Sequence, residues 1–282
     1  MAVPGVVAEV VLRPREALRV PVYAPCMSPD VFAGLSEREI GSLEVLKGSR
    51  KVKLAELFHV EGDASSKADE LTIRLQGDFS KVRQIGFEMS TGLVVVEGDV
   101  GLLTGEHMRG GRIEVHGNAG SWLGARMLGG SIEVMSSAGD YVGSAYRGAR
   151  DGMRDGAIII HGSAGSELGN FMRGGSIEVR GSVGLFPGIH MRGGAILVRG
   201  DCEGRPGAFM RSGKIIICGH VPGVPPGFSI LRISKSVKFK GEKVQGPFYT
   251  LIGDLTEDGD GRLHVAKAPN EHLAYLERLI GG

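Results

Sequence analysis

The sequence contains little cysteine, few aromatic residues and no marked excess of either charge. Its 282 residues include 3 cysteines, 1 tryptophan and 6% aromatic residues, while 33 Lys and Arg nearly balance 32 Asp and Glu. Cys26, Cys202 and Cys218 are odd in number and never form a C-x-x-C motif. We therefore expect reduced thiols and no iron–sulfur or zinc site built by this chain alone. The formal net charge of +1 gives no electrostatic reason to expect nucleic acid or an acidic membrane as a partner.

Long apolar runs and catalytic motifs are also absent from the sequence. No run approaches the roughly 18 apolar residues of a membrane span, and the N-terminus lacks a basic stretch followed by an apolar segment. We therefore predict a cytoplasmic protein without a membrane span or signal peptide. No G-x-S-x-G or H-E-x-x-H motif occurs.

Glycine is the residue that the sequence has in excess. There are 47 glycines, where the usual frequency of about 7% predicts roughly 20. The 42% hydrophobic content excludes a disordered chain, and the lack of a three-residue glycine period excludes collagen. The excess therefore needs a structural cause within a folded chain.

A tandem repeat accounts for the glycines. Units such as MRGGRIEVHGNAGSWLGAR recur at intervals of 19 residues, with one interval of 26. Each unit is too short for a strand and a crossover helix, so neighbouring units must stack to bury a shared apolar face. We predict an all-β fold, a right-handed, single-stranded parallel β-helix of about seven glycine-rich coils with mixed α/β caps. Its two predicted inward columns are Val94, Ile113, Ile132, Ile158, Ile177, Ile196, Ile215 and Val96, Val115, Val134, Ile160, Val179, Val198, Ile217.

Two glycine columns are predicted to form the corners of each coil, because only glycine takes a positive φ without strain. They are Gly92, Gly111, Gly130, Gly156, Gly175, Gly194, Gly213 and Gly105, Gly124, Gly143, Gly169, Gly188, Gly207.

Different segments flank the repeat. We predict an N-terminal cap at residues 1–70, the β-helix at residues 71–227 and a C-terminal cap at residues 228–282. Within the N-terminal cap, residues 6–12 and 54–62 are strand-like. Ser28 precedes a Pro that suits the first position of a short helix, and Ser36 with Glu39 can form a capping box. In the C-terminal cap, Asn270 is expected to cap a final amphipathic helix that reaches Ile280 and is ended by Gly281.

An outward arginine column follows the repeat methionines. It consists of Arg109, Arg154, Arg173, Arg192 and Arg211. Like charges at strand spacing repel one another unless anions or carbonyls intervene. Two interpretations remain open: each arginine binds corner carbonyls or pairs locally, or the column docks a carboxylate-rich partner or ligand.

The 26-residue interval contains an insertion within SAYRGARDGM, residues 144–153. We expect a protruding loop whose Tyr146, Arg147, Arg150 and Asp151 suit an interface, although a merely tolerated surface loop also fits the pattern.

The histidines do not indicate a metal site. His116 and His161 share one coil position and His107 and His190 share another, but at least one coil separates the members of each pair. Their separation of at least about 10 Å is too large for a shared zinc ion. We therefore predict no catalytic residue and no metal ligand in this chain.

Several segments resemble a known family. They are the M-R-G-G-x-I-x-V-x-G units, NAGSWLGARM, GDYVGSAYRGARDGM, GLFPGIHMRGG, SPDVFAGLSEREIGSLEV and FYTLIGDLTEDGDGRLHV. They are similar to the C subunit of formylmethanofuran dehydrogenase and to the related subunit of the formyltransferase/hydrolase complex. The repeat alone also resembles the C-terminal domain of glutamate synthase.

The resemblance implies a noncatalytic scaffolding subunit of an archaeal oxidoreductase complex that reduces CO2 and couples it to methanofuran in the first step of methanogenesis. It implies a pterin subunit and an amidohydrolase-like subunit as partners. A molybdenum or tungsten pterin, iron–sulfur clusters and a dinuclear metal site would lie on those other subunits, and this chain would bind no cofactor. The arginine column would then engage the glutamate-rich tail of the one-carbon carrier or acidic residues of a partner.

Three alternatives stay open. The chain could be the C subunit of a formyltransferase/hydrolase complex, a freestanding glutamate synthase-type domain that braces a glutamine-dependent amidotransferase, or a solitary β-helix binding module.

Overall fold

The N-terminal segment is a mixture of short strands and short helices. The structure, a computed structural model, describes residues 8–64 and 67–280. The segment contains β1 (Ala8–Pro14), β2 (Val22–Tyr23), α1 (Pro29–Phe32), α2 (Glu37–Ser42), β3 (Glu44–Lys47), β4 (Arg50–Lys53), α3 (Leu54–Leu57) and β5 (Phe58–Glu61). A 3-10 turn at Ala68–Glu70 then leads into the repeats.

The helix starts in this segment follow the sequence signals. Helix α1 begins directly after Ser28, with Pro29 at its first position. At α2 the predicted capping box is present, because the Ser36 hydroxyl accepts the Glu39 N–H and the Glu39 carboxylate accepts the Ser36 N–H at 2.9 Å. These bonds satisfy N–H groups that have no partner within the first turn of a helix.

One of the two strand predictions in this segment needs correction, and the other is confirmed over its described residues. The first half of residues 54–62 is α3 and only the second half is β5. The Glu56 carboxylate accepts the Lys53 N–H at 2.8 Å and thereby caps a helical turn whose Leu54 and Leu57 are both buried. The strand predicted at residues 6–12 is β1, which begins at Ala8, and residues 6 and 7 lie outside the described residues.

The repeats contribute short strands to the structure. The strands are β6 (Leu71–Leu75), β7 (Val82–Arg83), β8 (Leu93–Val96), β9 (Arg112–Val115), β10 (Ser131–Val134), β11 (Ala157–Ile160), β12 (Ser176–Val179), β13 (Val183–Leu185), β14 (Arg192–Val198), β15 (Cys202–Gly204) and β16 (Ser212–Ile217). Strand β7 joins β2, β3 and β4 in a four-stranded sheet, β13 and β15 form a two-stranded sheet, and the other strands of the repeats belong to one large sheet. Strands β6, β8, β9, β10, β11, β12, β14 and β16 pair in this order, all parallel.

The pairing register equals the sequence repeat. Ile113 lies opposite Val94 on one side and Ile132 on the other, so equivalent residues of successive units are direct neighbours. A second side of the stack is held by single parallel bridges from Phe79 through Val183, and then by the pairing of β13 with β15. The chain is thus mostly β and forms a β-helix-like stack in which each unit returns beside the previous one.

Both predicted inward columns are buried. Every one of their fourteen side chains is at most 1% exposed. Burial of a Val or Ile side chain stabilises the fold by about 1.5–3 kcal/mol, so these columns are a major source of stability. The seven repeat methionines, Met89, Met108, Met127, Met153, Met172, Met191 and Met210, are also fully buried and fill the interior beside them.

The corners of the stack adopt positive φ at the predicted glycines and also at residues that are not glycine. The first column runs from φ +72° at Gly111 to +102° at Gly213. Most repeats have two further left-handed positions occupied by ordinary residues, such as Trp122 at +59° and His190 at +55°. Sequence reasoning assigned these conformations only to glycine, and it missed this second set.

The C-terminal segment extends the sheet beyond the repeats. It contains β17 (Ser229–Phe239), β18 (Glu242–Gly253), a 3-10 turn at Leu255–Glu257, β19 (Gly261–Ala266) and a 3-10 segment at Ala268–Leu279. Strand β19 pairs parallel with β16, and β18 and β17 follow it antiparallel. At the other end, β1 pairs parallel with β6 and β5 pairs antiparallel with β1. Antiparallel strands therefore complete the 13-stranded sheet at both ends.

The final helix differs from its prediction. It is a 3-10 segment that starts at Ala268 and is interrupted at Asn270, whose φ and ψ are −128° and 47°. The fully buried Asn270 amide bonds the last coil instead of capping the helix: its oxygen accepts the Val221 N–H at 2.8 Å and its nitrogen donates to the Gly219 carbonyl at 2.9 Å. The segment ends at Leu279, and the predicted stop at Gly281 lies outside the described residues.

The outward face of the large sheet is partly ionic and partly covered by the chain itself. Glu133 accepts bonds from Arg112 at 2.8 Å and contacts His161 at 2.9 Å, and Glu178 pairs with Arg199 at 3.0 Å. Further along, Leu197 and Ile216 occupy the outward position and are fully buried. The hairpin of β17 and β18 packs over them through Val237, Phe239, Val244 and Phe248.

Among the described residues, none of the helices is long and apolar enough to cross a bilayer.

Candidate functional site

The described part of the chain brings together no group of three or more His, Cys, Asp or Glu side chains that could hold a metal ion. Its cysteines are poor nucleophiles as well. Burial raises the pKa of Cys26 to about 11 and that of Cys202 to about 12, so both remain thiols at neutral pH.

The arginine column lies at one corner of the stack, directly after the buried methionines. The backbone N–H of Arg173 donates to Met153 O and that of Arg192 to Met172 O, both at 2.8 Å. This coil-to-coil ladder sets the column at the spacing of the coils. Arg109, Arg154, Arg173 and Arg211 are exposed, and Arg192 is partly buried.

Three of the five column arginines pair with carboxylates. Arg109 lies 3.4 Å from Glu88, Arg154 lies 3.4 Å from Asp151, and Arg211 lies 3.0 Å from Glu257. These three satisfy the local-pairing interpretation.

The two central arginines have no carboxylate partner among the described residues. Arg173 donates to the Arg150 carbonyl at 3.2 Å. Arg192 holds its guanidinium carbon 5.8 Å from the centre of the Phe171 ring, a cation–π contact. Arg150 pairs with no carboxylate of the described chain either. Two neighbouring column arginines, Arg173 and Arg192, therefore lack a carboxylate partner among the described residues, as does Arg150 of the insertion, whose carbonyl contacts Arg173.

The insertion is fastened to the stack at both ends. The N–H of Ala145 donates to Asn170 O and that of Gly152 to Phe171 O, each at 3.0 Å, while Arg147 and Gly148 at the tip are exposed. This backbone pairing places the loop beside the arginine column.

Tyr146 and Asp151 contact the stack from within the insertion. The Tyr146 ring lies 6.3 Å from His107 and 5.6 Å from the Arg126 guanidinium. Asp151 accepts a bond from Arg126 at 2.6 Å. Burial opposes ionisation of Asp151, but Arg126 and Arg154 outweigh it and lower the pKa of the carboxyl group. Arg147 donates to the Tyr141 hydroxyl at 3.3 Å.

An aromatic ladder runs beside the column and was missed at the sequence level. The Phe171 and His190 rings stack at 4.5 Å, and His190 and Phe209 stack at 5.2 Å. Burial lowers the pKa of His190, and the positive charge of Arg192 lowers it further, while the negative charge of Glu257 opposes this shift. The sequence contains a signal for this ladder, since all three residues directly precede repeat methionines.

The ladder ends at an apolar groove of about 640 Å³. Its walls include Leu185, Phe186, Phe209 and Pro225, and the Arg205 guanidinium lies 5.5 Å above the Phe186 ring. Phe209 is 45% exposed and Leu185 is 41% exposed, so this surface presents two large apolar side chains to solvent. Arginines, aromatic rings and an apolar groove thus occupy adjacent parts of the surface, a composition typical of protein–protein interfaces.

Comparison with known proteins shows that the chain is similar to subunits of two related enzyme complexes. No family model matches the sequence. The chain is 41% identical over 98 residues to the C subunit of the molybdenum-containing formylmethanofuran dehydrogenase 1 of Methanosarcina barkeri. These 98 residues are 35% of this chain and 33% of that protein. The chain is also 41% identical over 98 residues to the C subunit of the tungsten-containing formylmethanofuran dehydrogenase 2 of Methanothermobacter marburgensis, 36% of that protein. The matched region thus spans about a third of the length of these curated relatives.

A solved structure extends the relationship over the whole fold. The chain is similar to a chain of the formyltransferase/hydrolase complex of Methylorubrum extorquens, solved in complex with methylofuran. The TM-score is 0.80 and the identity 30%, and the match covers 91% of this chain and 99% of that one. Similarity over 91% of the chain at 30% identity, together with the matches to the curated relatives, shows that the chain belongs to the family of formylmethanofuran dehydrogenase C subunits.

Proposed function

We propose that this chain is a noncatalytic scaffold subunit of a formylmethanofuran dehydrogenase complex, which reduces CO2 and attaches it to methanofuran. The observation that carries the proposal is the 19-residue register, because it produces a stiff stack with a long, regular surface. The curated relatives are subunits of molybdenum-containing or tungsten-containing enzymes, which supports a metal pterin elsewhere in the complex. A pterin subunit and an amidohydrolase-like subunit would be the partners, and iron–sulfur clusters and a dinuclear metal site would lie on them.

We infer that the stack is a right-handed parallel β-helix of about seven coils at residues 71–227, between caps at 1–70 and 228–282. Parallel in-register pairing of consecutive units and the bridges on a second side support this geometry. Parallel crossovers are right-handed in nearly all proteins. Because the shape comes from backbone pairing and buried columns, the surface is rigid enough to hold other subunits at fixed distances.

A second candidate is the equivalent role in a formyltransferase/hydrolase complex, which lacks the reduction step. The full-length match to a chain of such a complex favours it. Purification of the tagged chain from its source organism, followed by native mass spectrometry and metal analysis, separates the two. Tungsten or molybdenum with iron–sulfur partners supports the dehydrogenase, and partner subunits without these metals support the hydrolase. A flavin enzyme as partner, or no partner at all, would contradict both.

We further propose that the middle of the arginine column contacts a carboxylate-rich partner or the acidic tail of the one-carbon carrier. Arg173, Arg192 and Arg150 pair with no carboxylate of the described residues. Tyr146 and Arg147 belong to the same insertion as Arg150, and they contact Arg126 and Tyr141. Arg109, Arg154 and Arg211 would flank this contact, but their carboxylate partners already reduce the local charge.

Charge reversal tests this contact. The double variant Arg173→Glu and Arg192→Glu should weaken complex assembly or carrier affinity, whereas Arg109→Glu, from the same column, should have a smaller effect. Unchanged assembly and unchanged carrier affinity in the double variant would exclude the contact.

A further inference from the structure

The hairpin of β17 and β18 is held firmly against the stack. Its inner side places Val237, Phe239 and Val244, each at most 7% exposed, on Leu197 and Ile216. The Lys214 ammonium also donates to the Lys238 carbonyl at 3.1 Å. The outer side of the hairpin is therefore displayed at a fixed position, not on a mobile arm.

The hairpin is strongly basic. Residues 229–247, named here the basic hairpin, carry five positive side chains and one negative, a formal charge of +4. The whole chain carries +1, so the remaining residues sum to −3. The five positive side chains are all exposed: Arg232, Lys235, Lys238, Lys240 and Lys243.

These charges are not neutralised within the described part of the chain. None of the five forms an ion pair with a carboxylate of the described residues, in contrast to the ion pairs on the adjacent sheet face. Lys238 and Lys243 are moreover directly opposite each other on the two strands. Like charges at directly opposed positions destabilise a strand pair, so this pair carries a folding penalty that an external anion would remove.

The base of the hairpin also has a positive electrostatic environment, which is consistent with the excess of positive charge on the hairpin. Buried His264 bonds Thr250 at 3.0 Å. Its pKa is lowered to about 4, chiefly by burial and further by the positive charges of Lys214, Arg232 and Arg262.

We propose that the basic hairpin is a docking surface for an acidic face of another subunit, an inference that rests on the scaffolding role proposed above. Charge complementarity selects the occupant. A second copy of this chain that docked hairpin to hairpin would present the same positive charge and be repelled. Single-stranded nucleic acid is normally held by exposed aromatic rings, but Phe239, Phe248 and Tyr249 of β17 and β18 are buried. Lysines also protect free strand edges from aggregation, but that role does not require two of them to face each other.

The test compares two triple charge reversals in the full-length chain. Lys238→Glu, Lys240→Glu and Lys243→Glu alter the basic hairpin. Arg19→Glu, Arg38→Glu and Arg50→Glu change the charge by the same amount at exposed residues of the N-terminal segment and serve as the matched control. Each tagged chain is expressed in the source organism, and the partner subunits that co-purify are quantified by mass spectrometry over a range of NaCl concentrations.

The hairpin variant should retain the wild-type circular dichroism spectrum but lose partner affinity by about tenfold or more at low salt, and the difference should shrink as salt rises. The control should behave as wild type. Neutral Lys→Gln replacements at the same three positions should give an intermediate loss, which identifies charge as the cause even if the reversal impairs folding.

The possible failures are distinguishable. If the wild-type chain recovers partners and the hairpin variant recovers them equally well, docking at the hairpin is wrong while the scaffold role stands. Equal losses in the hairpin variant and the control would also overturn it, as would dimerisation of the wild type or its tight binding to DNA through these lysines at physiological salt. If the wild-type chain recovers no partner, the scaffold role itself fails.

Discussion

Alanine at Gly130 should destabilise the protein much more than alanine at Gly148, although both glycines have nearly the same backbone conformation. Gly130 has φ +81°, and a Cβ there would lie 2.8 Å from the backbone carbonyl atoms of Gly110, in the preceding coil. Gly148, in the insertion, has φ +85°, and its Cβ would meet no atom within 4 Å. The pair therefore separates the need for positive φ from the need for close approach of coils.

The expected magnitudes follow from these contacts. An alanine in the left-handed region costs about 1–2 kcal/mol, and the reduced freedom of the unfolded chain returns about 0.4–1 kcal/mol. Gly148→Ala should thus lower the free energy of unfolding by about 1 kcal/mol. At Gly130 the new methyl group also pushes against backbone that cannot rotate away, which adds about 1–3 kcal/mol of overpacking. The total for Gly130→Ala should be about 2–4 kcal/mol.

Urea unfolding followed by circular dichroism measures both values. The two variants should share the wild-type dependence on urea concentration and differ in midpoint, with Gly130→Ala clearly lower. If both lower the free energy of unfolding by the same amount, the glycine column is required only for its φ angle, and the argument that it permits contact between coils is wrong.

Three further outcomes are expected. Because the pKa of His264 is lowered to about 4 in the folded chain, only the unfolded chain binds this proton between about pH 6.5 and 4. Stability should therefore fall as the pH drops through that range, by up to about 3 kcal/mol, and urea midpoints of His264→Gln should depend less on pH. Asn270→Ala removes two bonds to the last coil and should lower stability by about 2–3 kcal/mol, with faster amide hydrogen exchange in the Ala268–Leu279 segment; unchanged exchange would contradict the anchoring role. Cys202, 2% exposed with its pKa raised to about 12, should resist iodoacetamide at pH 8 and react only in urea, whereas labelling in the native protein would show that the coil opens.

The repeat made the core predictable from the sequence. Once Ile113 and Ile132 are aligned as equivalent residues, each further unit repeats the same assignment, and a shifted register would expose a whole column. All fourteen predicted inward residues are buried as expected. The conformations of the corner glycines followed in the same way, because the narrow coil turns at the same places in each unit.

The remaining features depend on contacts between segments that are distant in the sequence. Leu197 and Ile216 replace the outward glutamates of other coils, but nothing local indicates that they are covered by the hairpin 20 or more residues later. The buried side chain of Asn270 resembles a helix cap in the sequence and becomes an anchor only because Val221 and Gly219 lie beside it.

The surface features were predicted unevenly for the same reason. The arginine column was visible as a repeat, but its division into paired and unpaired members depends partly on Glu88 and Glu257, which belong to other parts of the chain. Only the partner of Arg154, Asp151, lies close to it in the sequence. The aromatic ladder shares the repeat spacing and could have been found by examining every column for ring stacking. The basic hairpin carries no repeat, and its significance depends on where it is packed.

Register between successive 19-residue units has a consequence for how such a protein can change length. Gain or loss of one complete unit would move everything beyond it by about 4.8 Å while leaving each remaining neighbour contact unaltered. The distance between the two ends of the stack can thus vary only in steps of one unit. Homologues that differ by whole units would hold their attached subunits at separations that differ by the same increments.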